Sequence, residues 1–129
     1  MVEPQKPTPA ISNLSPVEYT NQPAPPLLID VRSALEYQLT HPSQAVNLSL
    51  PRLLLGALPI ARQWVWPQWF QTLSSERPLA VICLTAHRSP IAASFLGTLG
   101  FTAIQNISGG LVEWKKRGLP TGKGANPNA

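Results

Sequence analysis

The chain predicts an α/β domain built on a parallel sheet that is covered on both faces. Three observations carry that expectation. Strand-like runs alternate with helical stretches. The clearest runs, 27–31 and 79–83, are apolar save for Asp30 rather than alternating, as in strands buried on both sides. The helical stretches carry start or stop signals of their own: capping boxes at Ser15/Glu18 and Ser33/Glu36, glycines at Gly100 and Gly118.

Taken in order, residues 1–10 are Pro-rich and read as a flexible segment. Ser15-Pro16-Val17-Glu18 opens a short helix, and 21–26 is a loop. The run 27–31 is a strand with an acid, Asp30, near its end. Ser33-Ala34-Leu35-Glu36 opens a second helix reaching about Leu39. Residues 45–48 read as a short strand, and Pro51 precedes a Leu-rich helix. In 58–74 the spacing predicts two short helical pieces separated at Trp66, because Pro67 cannot continue a helix. Strand 79–83, helix 89–99, strand 102–107 and a helix over 110–117 follow. Residues 121–129 read as a flexible tail.

The 129 residues and 43% apolar content fit one domain with one core. Ten basic and six acidic residues give a net charge of +4. The one basic run, Lys115-Lys116-Arg117, suits the negative end of a helix dipole better than a nucleic-acid surface. One cysteine excludes an internal disulfide and a multi-Cys metal site, and fits a reducing compartment. The first residues lack an apolar signal core, and no stretch is long and apolar enough to span a membrane. The expectation is a cytoplasmic protein with no cofactor and no metal, and with neither nucleic acid nor membrane as partner.

That cysteine, Cys83, ends a buried strand where a turn begins, and a helix starts five or six residues on. Ser89 reads as the helix N-cap and Pro90 as its first residue. Ligands bind at the carboxyl ends of strands in such sheets. There the turn amides, the helix N-terminus and Arg88 favour a thiolate, the nucleophilic form. A buried cysteine closing a core strand is the plainer alternative.

The ordered set of residues is similar to a single-domain rhodanese, a sulfurtransferase family. The matching pieces are Ile29-Asp30-Val31-Arg32 with Glu36-Tyr37; His41 with Ala45-Val46-Asn47; Cys83 with Arg88-Ser89; Gly100-Phe101; and Gly109-Gly110 with Trp114 and Gly118-Leu119-Pro120. The resemblance covers 11–120. It implies a five-stranded parallel sheet flanked by helices on both faces. It also implies a loop whose amides wrap the Cys83 sulfur, and ping-pong transfer of sulfane sulfur through a Cys83 persulfide. The donor would be a small thiosulfate-like anion; the acceptor, cyanide, a thiol or a protein. The loop residues Leu84, Thr85, Ala86, His87, Arg88 and Ser89 would bind substrate. Asp30, Arg32 and Glu36 would support the loops, with Arg32 reaching Glu36 or backbone carbonyls.

Alternatives stay open at several of these positions. Arg88 binds donor oxygens or pairs with an acid such as Glu36. His87 assists binding or is a solvated loop residue, and Thr85 donates a hydrogen bond or serves the turn. Trp114 is expected in the core. Trp64, Trp66 and Trp69 line a groove or, the expectation preferred here, pack an atypical insertion. The family usually has Gly where Ala86 stands, and Gly again where Gln44 stands.

Two other functions fit the same resemblance: a Cys-dependent phosphatase or arsenate reductase of this fold, and a silent rhodanese-type interaction module. Phosphatases of the Cys-x5-Arg type place Arg six residues after Cys. Here Arg88 is five residues after Cys83, a loop one residue shorter.

Overall fold

The apolar runs are strands and the capped stretches are helices. The computed structural model describes residues 10–85 and 87–125. Its first half runs β1 (Ala10–Leu14), α1 (Pro16–Thr20), β2 (Leu27–Asp30), α2 (Ala34–Leu39), β3 (His41–Pro42), β4 (Val46–Asn47) and α3 (Leu50–Leu55). A 3-10 turn (Pro59–Ala61) then leads into α4 (Arg62–Val65), α5 (Gln68–Gln71), β5 (Leu79–Ile82), α6 (Ser89–Thr98), β6 (Ala103–Ile107), α7 (Gly110–Lys116) and β7 (Thr121–Gly122).

Five strands form one parallel sheet in the order β1-β6-β5-β2-β4. The central strand, β5, is buried along its whole length. Alternate residues of a strand face opposite ways, so Leu79, Val81 and Cys83 join one core and Ala80 and Ile82 the other. The first core is closed by α3, α5 and α6 through Leu53, Phe70, Ala92 and Leu96. The second is closed by α1, α2 and α7 through Tyr19, Tyr37, Leu111 and Trp114. A sheet this apolar on both faces needs both layers to leave water.

The strand order places the site. After β2 the chain moves outward to β4; after β5 it moves the other way, to β6. The crevice where the two directions part, between β2 and β5, is where such sheets bind ligands. Asp30 and Ile82 are in register there, and Cys83 is the next residue.

Both capping boxes form. Ser15 and Glu18 exchange bonds of 2.9 and 3.1 Å, and Ser33 and Glu36 exchange bonds of 3.2 and 3.2 Å. The break at Trp66 also forms: its backbone turns extended before Pro67, splitting α4 from α5.

Three elements differ from the sequence expectation. Residues 10–14 form β1, so the strand takes in residue 10, which the sequence assigns to the flexible segment; residues 1–9 lie outside those described. This edge strand is exposed along most of its length and carries Ser12 and Asn13, so it has no apolar run to read. Thr121–Gly122 is strand, not flexible tail, and pairs antiparallel with His41–Pro42. The Trp114 indole donates to the Pro120 carbonyl (2.9 Å), and Ser43 donates to the same oxygen (3.1 Å), which fixes the chain ahead of β7. The Trp cluster divides: Trp66 is buried, Trp69 half-buried and Trp64 exposed.

Candidate active site

Cys83 is the first residue after β5 and is only 1% exposed. Its side chain belongs to the core on the α6 side. The Sγ lies 3.5 Å from the hydroxyl of Ser89, which is fully buried in the first turn of α6. Ser89 is therefore not the N-cap. Arg88 holds that position, with no side-chain cap, and Ser89 is the first helical residue. The pattern Ser-Pro suggests a cap, but the hydroxyl is turned to the sulfur instead of to the helix amides.

The backbone after Cys83 is oriented by α7. The Cys83 carbonyl accepts from the Leu111 N–H (2.9 Å) and the Leu84 carbonyl from the Val112 N–H (3.1 Å). A trans peptide points its N–H opposite its carbonyl, and none of the described peptides is cis. The N–H groups of Leu84 and Thr85 thus face away from α7. The free amides at the start of α6 add positive potential beside Cys83, although Pro90 has no N–H to offer.

This arrangement requires glycine at 110. A Cβ there would sit 2.5 to 2.6 Å from the carbonyl oxygens of Cys83, Leu84 and Thr85, and Gly110 has a φ of +58°. Gly109, at +76°, caps the same helix. The Gly-Gly pair is what lets a helix N-terminus approach the loop backbone this closely.

Arg88 and Glu36 form a two-pronged pair: Nη1 to Oε1 is 2.7 Å and Nη2 to Oε2 is 3.0 Å. The Ser33 N–H and hydroxyl also donate to Oε1, at 3.2 and 3.0 Å. The Arg88 hydrogen bonds, helped by Ser33, hold the Glu36 carboxyl down at about 2. Glu36 in turn raises Arg88, with smaller contributions from the charges of Cys83 and Asp30. Of the two openings left by the sequence for Arg88, the pairing with Glu36 is the one formed.

Arg32 does not reach Glu36. It is buried and pairs with Asp30, Nη2 to Oδ2 at 2.8 Å, while the same nitrogen donates to the Thr40 carbonyl (2.6 Å). Asp30 also accepts from the Arg32 backbone N–H (3.0 Å). The short spacing of Asp30 and Arg32 folds the guanidinium back over its own turn. Asn47 closes the same turn from β4, donating to the carbonyls of Asp30 and Arg32, both at 2.9 Å. Asn47 and Gly110 both stand among the residues that carry the resemblance, but no local pattern in the sequence assigns either to the site.

Leu84, Thr85 and His87 are exposed on the loop. Ala86 lies outside the described residues, and the expectation about its backbone with it. Among the described residues, no cluster of His, Cys, Asp and Glu is placed to hold a metal, and no helix is long and apolar enough to cross a membrane.

A free cysteine on a loop at the carboxyl end of a central parallel strand, beside a helix N-terminus, marks an α/β protein with one thiol at its sheet crevice. Residues 16–117 match the model of the rhodanese-like domain, and the chain belongs to that family. Its relatives include an uncharacterized protein of Synechocystis sp., 33% identical over 100 residues, which cover 78% of this chain and 49% of the relative. Another is thiosulfate sulfurtransferase 16, chloroplastic, of Arabidopsis thaliana, 32% identical over 97 residues, 72% of this chain and 77% of the relative. The chain spans about half the length of the first curated relatives it matches. The fold matches a rhodanese-related protein of Thermoplasma volcanium with a TM-score of 0.68 at 22% identity, over 86% of this chain and 97% of that one. A rhodanese from E. coli, solved with anions, matches with a TM-score of 0.55 at 28% identity, over 76% and 98% of the two chains.

Proposed function

We propose that the chain moves sulfane sulfur from a thiosulfate-like donor to cyanide or a thiol through a persulfide on Cys83. The Cys83 thiolate attacks the outer sulfur of the donor. The S–S bond of the donor breaks, sulfite leaves with its electron pair, and Cys83 carries the outer sulfur as an anionic persulfide. An acceptor thiolate or cyanide then takes that sulfur and returns Cys83 to thiolate. Charge balances at each step, and no proton or electron is drawn from elsewhere.

The observation that carries this reading is the peptide orientation after Cys83. Two carbonyls are committed to α7, and a trans peptide turns their partner N–H groups away from that helix. Such amides stabilise charge on the sulfur without further reorganisation. Ser89 adds a hydroxyl at 3.5 Å. A phosphatase reading needs a guanidinium free to bind phosphoryl oxygens, and both prongs of Arg88 are on Glu36. The names of relatives such as thiosulfate sulfurtransferase 16 support the donor class. A lone free thiol suits a reducing compartment such as the cytoplasm.

The test is thiosulfate:cyanide sulfurtransferase activity of the wild type and Cys83→Ser, each checked for folding by circular dichroism. The reading expects activity in the first and its loss in a folded second. Wild-type activity in Cys83→Ser, or Cys83-dependent turnover of an aryl phosphate in place of sulfur transfer, would overturn it.

A further inference from the structure

Three large apolar side chains stand exposed around the opening to Cys83. Leu84 follows the cysteine directly and is 42% exposed. Leu35, on α2, is 69% exposed, and Ile91, on α6, is 52% exposed. The Glu36–Arg88 bonds of 2.7 and 3.0 Å fix where the last two lie. Leu35 precedes Glu36. Ile91 comes three residues after Arg88, which makes the two neighbours on the surface of α6. The pair thus holds the two apolar residues on opposite sides of the crevice between β2 and β5, one in each helical layer. The sulfur lies at the same place, since Ser89, next to Arg88, is 3.5 Å from Sγ.

Cys83 itself is only 1% exposed, so an acceptor has to bring its own nucleophilic atom into the opening. The atoms carried beside that nucleophile then rest on the rim. The charges at this end of the sheet cancel in pairs, Glu36 with Arg88 and Asp30 with Arg32. Neither pair leaves an ion free to hold a small charged acceptor. What the rim offers is apolar area on two sides of the thiol, and burying it is favourable. A thiol of low mass on one short chain covers one side at most. A cysteine within a polypeptide has side chains before and after it and covers both.

We infer that the sulfur acceptor is a cysteine of a second polypeptide with apolar residues on either side of it, which settle on Leu35 and Ile91 while its thiolate reaches Cys83. The inference rests on the sulfur-transfer reading above and narrows it to one class of acceptor. The acceptor thiolate attacks the outer sulfur of the anionic Cys83 persulfide. The bond between that sulfur and the Cys83 Sγ breaks, and its electron pair stays on Cys83, which leaves as thiolate. The acceptor cysteine carries the persulfide away, and no proton or further electron is needed.

The test loads Cys83 with thiosulfate and follows its discharge by intact mass, using two synthetic peptides of equal length and net charge. One peptide has Leu and Val on both sides of its cysteine; the other has Ser and Gly. Rates are taken per thiolate. The apolar peptide should discharge the protein about tenfold faster, as burial of a few methylene groups at the rim requires. Leu35→Ser/Ile91→Ser should bring the two peptides within about twofold of each other, because it removes the apolar area they settle on. Cyanide is too small to span the rim and should discharge the double variant as fast as the wild type. Both positions are on the surface, circular dichroism checks that the double variant stays folded, and the wild-type comparison stands without it. Equal rates with the two peptides, a faster polar peptide, or a preference that the folded double variant retains overturns the inference. Discharge by cyanide in the same experiment leaves sulfur transfer itself standing. A protein that takes up no sulfur from thiosulfate overturns both.

Discussion

Glu36 and Arg88 join the two faces of the sheet across its carboxyl end. Glu36 rides on α2, which packs on one face; Arg88 caps α6, which packs on the other. Their two bonds, 2.7 and 3.0 Å, span the crevice between β2 and β5 beside Cys83. The pair fixes the end of the Cys83 loop and neutralises its arginine. Each side chain is about one-third exposed, so solvent discounts the pair's worth.

Glu36→Ala and Arg88→Ala should therefore act as one change. Each single variant is expected to lose about 0.5–1 kcal/mol of stability, and the double variant little more than either. Urea unfolding of the four proteins measures the coupling. Fully additive losses would show that the two residues act independently.

The pair also sets a pH dependence. The Glu36 carboxyl is held at about 2, below its unfolded value of 4.5. A depressed acid contributes stability that is fully present above the unfolded value and is lost as pH falls through the folded one. The pair's contribution should thus be complete at neutral pH and fade from about 4.5 down to about 2. Carbon-detected NMR of the Glu36 carboxyl should give a midpoint well below that of an ordinary glutamate. An ordinary midpoint would mean the pair does not persist in solution.

Gly110→Ala should be among the most damaging single changes near the site. The added methyl meets three carbonyl oxygens at 2.5 to 2.6 Å, at a positive φ. A loss of about 2 kcal/mol or more is expected, since strain and a displaced backbone add. Where the variant still folds, sulfur transfer should fall further than stability explains, because the loop amides turn with the carbonyls. Melting temperature and specific activity, measured together, check this.

Ser89→Ala tests the hydroxyl beside the sulfur. The Cys83 thiol donates to this hydroxyl at 3.5 Å, and the hydroxyl is placed to donate back to the charged sulfur of the proposed persulfide, so Ser89→Ala should slow sulfur transfer about tenfold. An unchanged rate would make Ser89 a packing residue only.

Much of this was legible in the chain because the signals are local. Ser15/Glu18 and Ser33/Glu36 announce helices through side-chain to backbone bonds three residues apart, and all of those bonds form. The run ending at Ile82 announces a central strand because burial on both faces leaves no polar position. What stayed hidden depends on distant partners. β1 exists because β6 pairs with it, and β7 because β3 does. Arg32 has two acids within reach along the sequence, and only the fold decides that it takes Asp30 and leaves Glu36 to Arg88. Ser89 followed by Pro90 has the composition of a cap, but Cys83 draws the hydroxyl inward. The tryptophans could not be sorted from composition: Trp66 fills the space above Gly56, and Trp64, two residues away, is turned outward.

The intact mass of the protein after treatment with thiosulfate tests the central claim most directly. The account predicts a gain of one sulfur atom, located on Cys83 by peptide mapping, discharged by cyanide and absent from Cys83→Ser. A folded wild-type protein that stays at its unmodified mass, or one that carries the added sulfur equally in Cys83→Ser, would contradict it.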